Sequence, residues 1–337
     1  MKVDAPLVAP RLAEVPDATR RAEAAGYDGV FTFEGPRDPF LPLMLAAEHS
    51  ERLELTTAIA VAFARNPMTL ATTANDLQLV SGGRFVLGLG TQIKPHIEKR
   101  FSMEWSHPAP RLREFALAMR AIWAAWNDRA PLDFRGDFYR HTLMTPFFDP
   151  GPNPFGPPRI VLAGVGARMT EVAGEVGDGF IVHPFSSAHY LRTTTLPALE
   201  RGLARAGRTR DGFEVSFPVM IATGETDDEL AAARFATRAQ LAFYGSTPAY
   251  RPVLDAHGWG DLQTELHRRS REGDWAAMAA AMPDEVVAAL TVSGRPDEIA
   301  PQVLGRYGDL IDRIAFNAPY SAPPDTWTRV LAGFRAS

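Results

Sequence analysis

Three times in its first 185 residues this chain repeats one phrase: an amphipathic helix, a glycine, then an apolar run rich in β-branched and aromatic residues. It is written as "DATRRAEAAGYDGVF", as "TLATTANDLQLVSGGRF" and as "MTEVAGEVGDGFIV". The glycine ends a helix because it takes a left-handed backbone at no steric cost. The runs that follow do not alternate with polar residues, so both faces of each strand must be covered, as in a parallel sheet under helices. Runs of this kind span about 3–8, 28–34, 53–62, 84–91, 159–166, 179–185, 213–223 and 312–319. Eight strands alternating with helices predict an α/β fold of the closed (β/α)8 type, the TIM barrel, over an open doubly wound sheet.

Two stretches exceed a minimal barrel. About 92–158 follows the fourth strand and holds the helical "RLREFALAMRAIWAAW" and the Pro- and Gly-rich "TPFFDPGPNPFGPP". About 225–293 follows the seventh strand and is helical, with Trp259 and Trp275. No composition shift marks a linker, so 1–337 is read as one domain with insertions after strands four and seven. Both insertions are expected at the rim of the site, with 146–158 and the helices around Trp259 as a lid, and with Phe147, Phe148 and Phe155 giving it an apolar lining.

Several chemistries lose their footing on composition. A net charge of −5 offers no basic surface for nucleic acid or an anionic membrane. With no cysteine, disulfides, thiolate chemistry and Cys-containing zinc sites are excluded. "MKVDAPLVAP" has no apolar leader core and no run reaches the ~18 apolar residues of a spanning helix, which predicts a soluble cytoplasmic protein. The lysines are Lys2, Lys94 and Lys99, so a Schiff-base lysine has few places to sit. There is no P-loop, HExxH or GxSxG, and the eight histidines show no ligand spacing, so no metal site is predicted.

Three places can carry chemistry. In "VLAGVGARMTEVAG" a strand, a Gly-x-Gly turn and a helix start follow one another; Gly164, Val165 and Gly166 form either a tight βα turn or a phosphate cradle at free helix N–H groups. In "FVLGLGTQIKPHIEKRF", Gly88 and Gly90 thin the fourth strand, Thr91 places a hydroxyl at its end, and Lys94, His96, Lys99 and Arg100 cluster after it. That cluster is either a solvated helix face balanced by Glu98 and Glu104, or a second set of anion contacts. Glu34 and His183 end strands two and six, where barrel side chains face the mouth; each is a candidate acid or base, and for Glu34 an ion pair is the competing reading.

Together these residues resemble the bacterial luciferase-like family of flavin and deazaflavin barrel enzymes. The resemblance is carried by "AEAAGYDG", "DPFLPLMLAAEHS", "TTAIAVAFARNPMTLA", "LVSGGRFVLGLGT", "LAGVGARMTEVAGEVGDGF" and "VSGRPDEIA", and it covers nearly the whole chain. More narrowly the chain is similar to the actinobacterial branch that uses coenzyme F420, a 5-deazaflavin with a phosphate and a polyglutamate tail. The resemblance implies a bulge in strand three with a cis peptide at Ala58–Ile59 beneath the middle ring of the cofactor. It implies that Thr91 and the backbone of Gly164, Val165 and Gly166 meet the cofactor phosphate or its neighbours, with Gly90 also in contact with the cofactor and Gln92 near the ring. Lys94, Lys99 and Arg100 suit the acidic tail, and Glu34 or His183 the proton of a hydride transfer to or from a small organic substrate. Members acting on sugar phosphates hold that phosphate with lysines, and none lies beyond Lys99 here. A homodimer is the implied assembly. The alternatives are an FMN-dependent monooxygenase of the same fold, a barrel lyase or isomerase acting on a phosphorylated metabolite, and a non-catalytic cofactor-binding protein.

Overall fold

A computed structural model describes residues 1–9 and 11–336. Eight parallel strands close on themselves: β1 (Lys2–Pro6), β2 (Gly29–Thr32), β3 (Glu54–Thr57), β4 (Phe85–Gly90), β5 (Arg159–Ala163), β6 (Gly179–Ile181), β7 (Glu214–Thr223) and β8 (Arg313–Asn317). Each pairs with its sequence neighbours, and β8 returns to β1 through Lys2 opposite Arg313. This is the TIM barrel that the eight apolar runs predict.

The helices start and stop where local chemistry dictates. Helix α1 (Val15–Ala25) ends on Gly26 at φ +90°, the left-handed stop that glycine accepts. Helix α3 (Pro67–Val80), which follows α2 (Phe40–Glu48), begins where the Asn66 side chain accepts from Thr69 N–H, with Pro67 in the first turn, where no N–H is needed. Outward-facing Leu55, Phe85, Leu87, Leu89, Ile160 and Ile314 join one continuous buried core with the covering helices.

Segment 92–158 differs in part from expectation. Its helix α4 (Pro108–Asn127) is the barrel helix of β4, packed between α3 and the helix after β5, and is not an insertion. The Pro-rich stretch 146–158 does not form a lid. Asn153 Nδ2 donates to Asn75 O and Oδ1, both at 3.1 Å, its N–H donates to Asn127 Oδ1, and Phe155 lies against Gly83, just before β4 begins. These contacts fasten the stretch to the flank and the strand-entry end of the barrel. Phe147 and Phe148 are 88% and 71% exposed there, so the apolar lining expected of Phe147, Phe148 and Phe155 is not provided by them.

Segment 225–293 does rise over the mouth. Its long helix (Asp227–Gly245) is capped by a reciprocal Thr226–Glu229 box. A second, smaller core forms from this segment and the barrel's upper edge, with Phe185, Tyr190, Met220, Leu254, Leu266 and Met282 buried. Val292–Gly294 then pairs with the end of β7 before the chain returns to β8.

The strand-entry end is closed by charge. Arg313, 3% exposed, pairs through its three nitrogens with Asp4, Glu54 and, at 2.9 Å, Glu214. Lys2 and Arg159 reach Glu54 at 2.8 and 3.0 Å, so three basic and three acidic side chains interlock there.

Candidate functional site

At the opposite end, β3 stops at Thr57 and the chain pairs with β4 again only at Ala60–Val61. Between them the Ala58–Ile59 peptide is cis, at the bond the resemblance singles out. Ala58 N–H donates to Thr32 O at 2.6 Å and Glu34 N–H to Ile59 O at 3.0 Å, which stitches the end of β2 to this bulge. On the other side β4 comes close enough to exclude any side chain at Gly88: a Cβ there would lie 1.7 Å from Thr57 O. Thr57 Oγ1 donates to Gly88 O at 2.8 Å and accepts from Gly88 N–H at 2.9 Å, so the hydroxyl replaces ladder bonds that the bulge disrupts.

Glu34 realises the ion-pair reading. Its Oε2 accepts from Val61 N–H at 2.7 Å and from Arg65 at 2.5 Å, and its side chain is 8% exposed. Arg65 also donates to Val61 O and lies 3.6 Å from Asp38. The arginine that ends the uncharged run therefore acts with Glu34 as a clamp on the residues just after the cis bond.

A recess opens at the ends of β5 and β6. The turn of Gly164, Val165 and Gly166 leads into α5 (Ala167–Val176), and the recess runs from it past Ser186 and His183 to Tyr250 of the helical segment. The two glycines serve different needs. A Cβ on Gly164 would lie 2.1 Å from Met169 Cγ, so there glycine permits helix packing; at Gly166, φ is +80° with open space around it. Ser186 is 3% exposed and its Oγ has no hydrogen-bond partner. A buried hydroxyl left unpaired costs about 1–3 kcal/mol; several hydroxyls among the described residues are in this state, and Ser186 is the one that lines the recess, together with the turn at the start of α5.

His183 stacks on Tyr250 with ring centroids 4.1 Å apart and meets Tyr244 edge-on at 5.0 Å. Burial holds its pKa down at about 4. Phe185 N–H donates to its Nδ1 at 3.1 Å, so the neutral ring carries its proton on Nε2. Burial, with Tyr244 adding to it, pushes the Tyr250 hydroxyl up to about 12, which keeps this wall uncharged.

The segment after β4 is mixed. Thr91 Oγ1 donates to Gln92 O, and Gln92, at φ +61°, uses Oε1 to accept Ile93 N–H. Lys94 is 3.7 Å from Glu98, and Arg100 donates to Gly35 O at 2.6 Å, tying this short helix (Lys94–Lys99) to the β2 loop. Lys99 is exposed. Thus Ala58, Ile59, Gly90 and Glu34 come together at the bulge, and Gly164, Val165, Gly166 and His183 at the recess. Lys94, Lys99 and Arg100 stand on the outer rim. Ser186, Tyr244 and Tyr250 were missed by sequence reasoning. Only Ser186 had a signal, as the first polar residue after His183 in "FIVHPFSSAHY".

The luciferase-like monooxygenase family is matched over residues 1–313. An uncharacterized protein of Mycobacterium tuberculosis is 57% identical, covering 90% of this chain and 89% of its own. An F420-dependent glucose-6-phosphate dehydrogenase of Intrasporangium calvum is 31% identical over 60% of this chain and 63% of its own. Among solved structures, the coenzyme F420 dependent tetrahydromethanopterin reductase of Methanopyrus kandleri aligns with a TM-score of 0.77 at 17% identity, over 99% of this chain and 96% of that one. A type II Baeyer-Villiger monooxygenase of Pseudomonas putida, in complex with FMN, aligns with a TM-score of 0.67 at 18% identity, over 98% and 96%.

Proposed function

The chain belongs to the luciferase-like monooxygenase family, and we propose that within it the chain is a coenzyme F420-dependent oxidoreductase acting on a small organic substrate. The observation that supports a phosphate-bearing, flavin-type cofactor is the unpartnered Ser186 Oγ in the recess lined by Gly164, Val165 and Gly166, and the exposed Lys94, Lys99 and Arg100 favour the deazaflavin within that class. The residues present fit such a cofactor. The bulge at Ala58 and Ile59 lies beside Gly88 and Gly90, so the strand ends there carry few side-chain atoms against a ring. Gly90, Thr91 and Gln92 would border the ring, and Gly164, Val165, Gly166 and Ser186 would hold the phosphate. Lys94, Lys99 and Arg100 would meet an acidic tail, and such a tail separates the deazaflavin from FMN.

Bound there, the deazaflavin supplies hydride chemistry at C5. The chain's own part is positioning and one hydrogen bond. The Glu34–Arg65 clamp fixes the platform, so Glu34 is assigned a positioning role. His183, neutral in the folded chain, would donate a hydrogen bond from Nε2–H to a substrate oxygen and so stabilise charge developing there, and its stacking on Tyr250 holds the ring at one angle. The same reading makes the enzyme a homodimer, checked by its mass in solution. An FMN monooxygenase is the second reading, because a lone phosphate also satisfies Ser186 and the turn.

The test is a fluorescence titration of apo-protein with F420 and, separately, with FMN. Tight F420 binding that weakens as salt rises supports the deazaflavin and the basic rim. Binding of FMN alone moves the monooxygenase to first place, and binding of neither overturns both.

A further inference from the structure

The barrel's interior is underfilled. Lumens of this fold are normally packed by layers of bulky branched side chains. Here the inward positions above the charged floor include Ala58, Ser216, Pro218 and Ala315, and a cavity runs from Ala58 down to Asp4, Glu214 and Arg313. Its waist is apolar, formed by Phe31, Val86, Val161 and Ile181. Two hydroxyls interrupt that waist. Thr56 and Ser216 both line the cavity and are only partly buried, and among the described residues neither side chain has a hydrogen bond to protein, in contrast to Thr57 next door.

We propose that this lumen is a second small-molecule site, taking a neutral compound with a short apolar body and one hydroxyl or carbonyl group. Three features select that class. The apolar waist disfavours an ion, which would lose its hydration without a partner. The floor's charged groups are already engaged with one another, because Arg313, Lys2 and Arg159 each reach Asp4, Glu54 or Glu214. Thr56 and Ser216 supply the donors and acceptors that one polar end group needs. The site shares the Phe180 wall with the phosphate recess and its upper end adjoins Ala58, but it does not rest on the cofactor reading; apo-protein is sufficient to examine it.

Saturation-transfer NMR on the apo-chain, with 2-butanol, 2-butanone, butyrate and butylammonium as probes, tests this directly. Both neutral probes are expected to bind and both ions to bind at least tenfold more weakly. Ser216→Leu, which fills the lumen, is expected to weaken the neutral probes at least tenfold. Ala315→Val, a smaller filling that serves if the leucine variant does not fold, should weaken them severalfold. Thr56→Val should weaken 2-butanol by about threefold or more. Failure of both neutral probes to bind wild-type protein, ions binding as well as neutrals, or a folded filling variant binding like wild type would each overturn the proposal.

Discussion

At Gly88 the nearest obstacle to a Cβ is a backbone oxygen, Thr57 O at 1.7 Å, whereas at Gly90 it is the Cδ1 end of the Ile59 side chain at 2.8 Å. A side-chain end can rotate away; a strand held by Thr57 Oγ1 on both sides cannot. Gly88→Ala must therefore push β3 and β4 apart and should cost about 3 kcal/mol or more, at the upper end of overpacking effects. Gly90→Ala should cost about 1 kcal/mol, and on the proposed function it should weaken cofactor binding more than it weakens the fold. Urea midpoints for the two variants, with the slope of unfolding unchanged, separate these outcomes. Equal losses would mean that Ile59 is as immobile as the backbone.

On the scale of elements, the site is made by how neighbouring strand ends are fastened. Glu34 reaches from β2 to Val61 N–H beyond the bulge, and Arg65 closes the pair from the turn before α3. Glu34→Ala would leave the Val61 N–H without its acceptor and a mostly buried guanidinium with only Val61 O and the more distant Asp38, which predicts a loss of about 2 kcal/mol in stability. On the proposed function it also predicts at least a tenfold loss in cofactor affinity. Glu34→Gln, which keeps an acceptor for Val61, should recover part of both. If the Gln variant restored full stability but no affinity, the charge of Glu34 would be acting on the cofactor and not as a clamp. Much of this architecture was legible in the chain. Apolar runs rich in β-branched residues and bounded by glycine read as buried strands, and "RNP" marks a capped helix start because Asn66 and Pro67 each act locally. The stretch 146–158 was legible only as irregular backbone. Proline and glycine specify the absence of a helix, and the bonds that fix where the stretch goes, from Asn153 to Asn75 and Asn127, join residues 78 and 26 positions apart. Tyr244 and Tyr250 were hidden for the same reason: nothing local tells a helix residue that it will roof His183.

The whole molecule carries two opposed titrations, one at each end of the barrel. At the mouth, burial lowers His183 from 6.5 to about 4, so the unfolded chain holds this proton more tightly. Its contribution to stability is complete above pH 6.5 and is lost as pH falls toward 4. His141 and His257, also depressed by burial, act in the same direction. At the floor, burial raises Asp4 from 3.8 to about 7 against the pull of Arg313, with the carboxylates of Glu54 and Glu214 adding to the rise. There the native state holds the proton more tightly, so stability falls as pH rises from 3.8 to 7 and is level above. Between about pH 4.5 and 6.5 the two slopes oppose each other, and the wild-type unfolding free energy should change little. Each single variant should expose the other limb. Asp4→Asn should become more stable with rising pH across that window, by up to about 3 kcal/mol for the full His183 shift. His183→Asn should become less stable with rising pH until about 7. Urea unfolding of the three proteins at half-unit pH steps measures both slopes. If Asp4→Asn followed the wild-type profile, the Asp4 carboxyl would be ionised throughout, and the Arg313 cluster would stand as three fully charged pairs across the whole range.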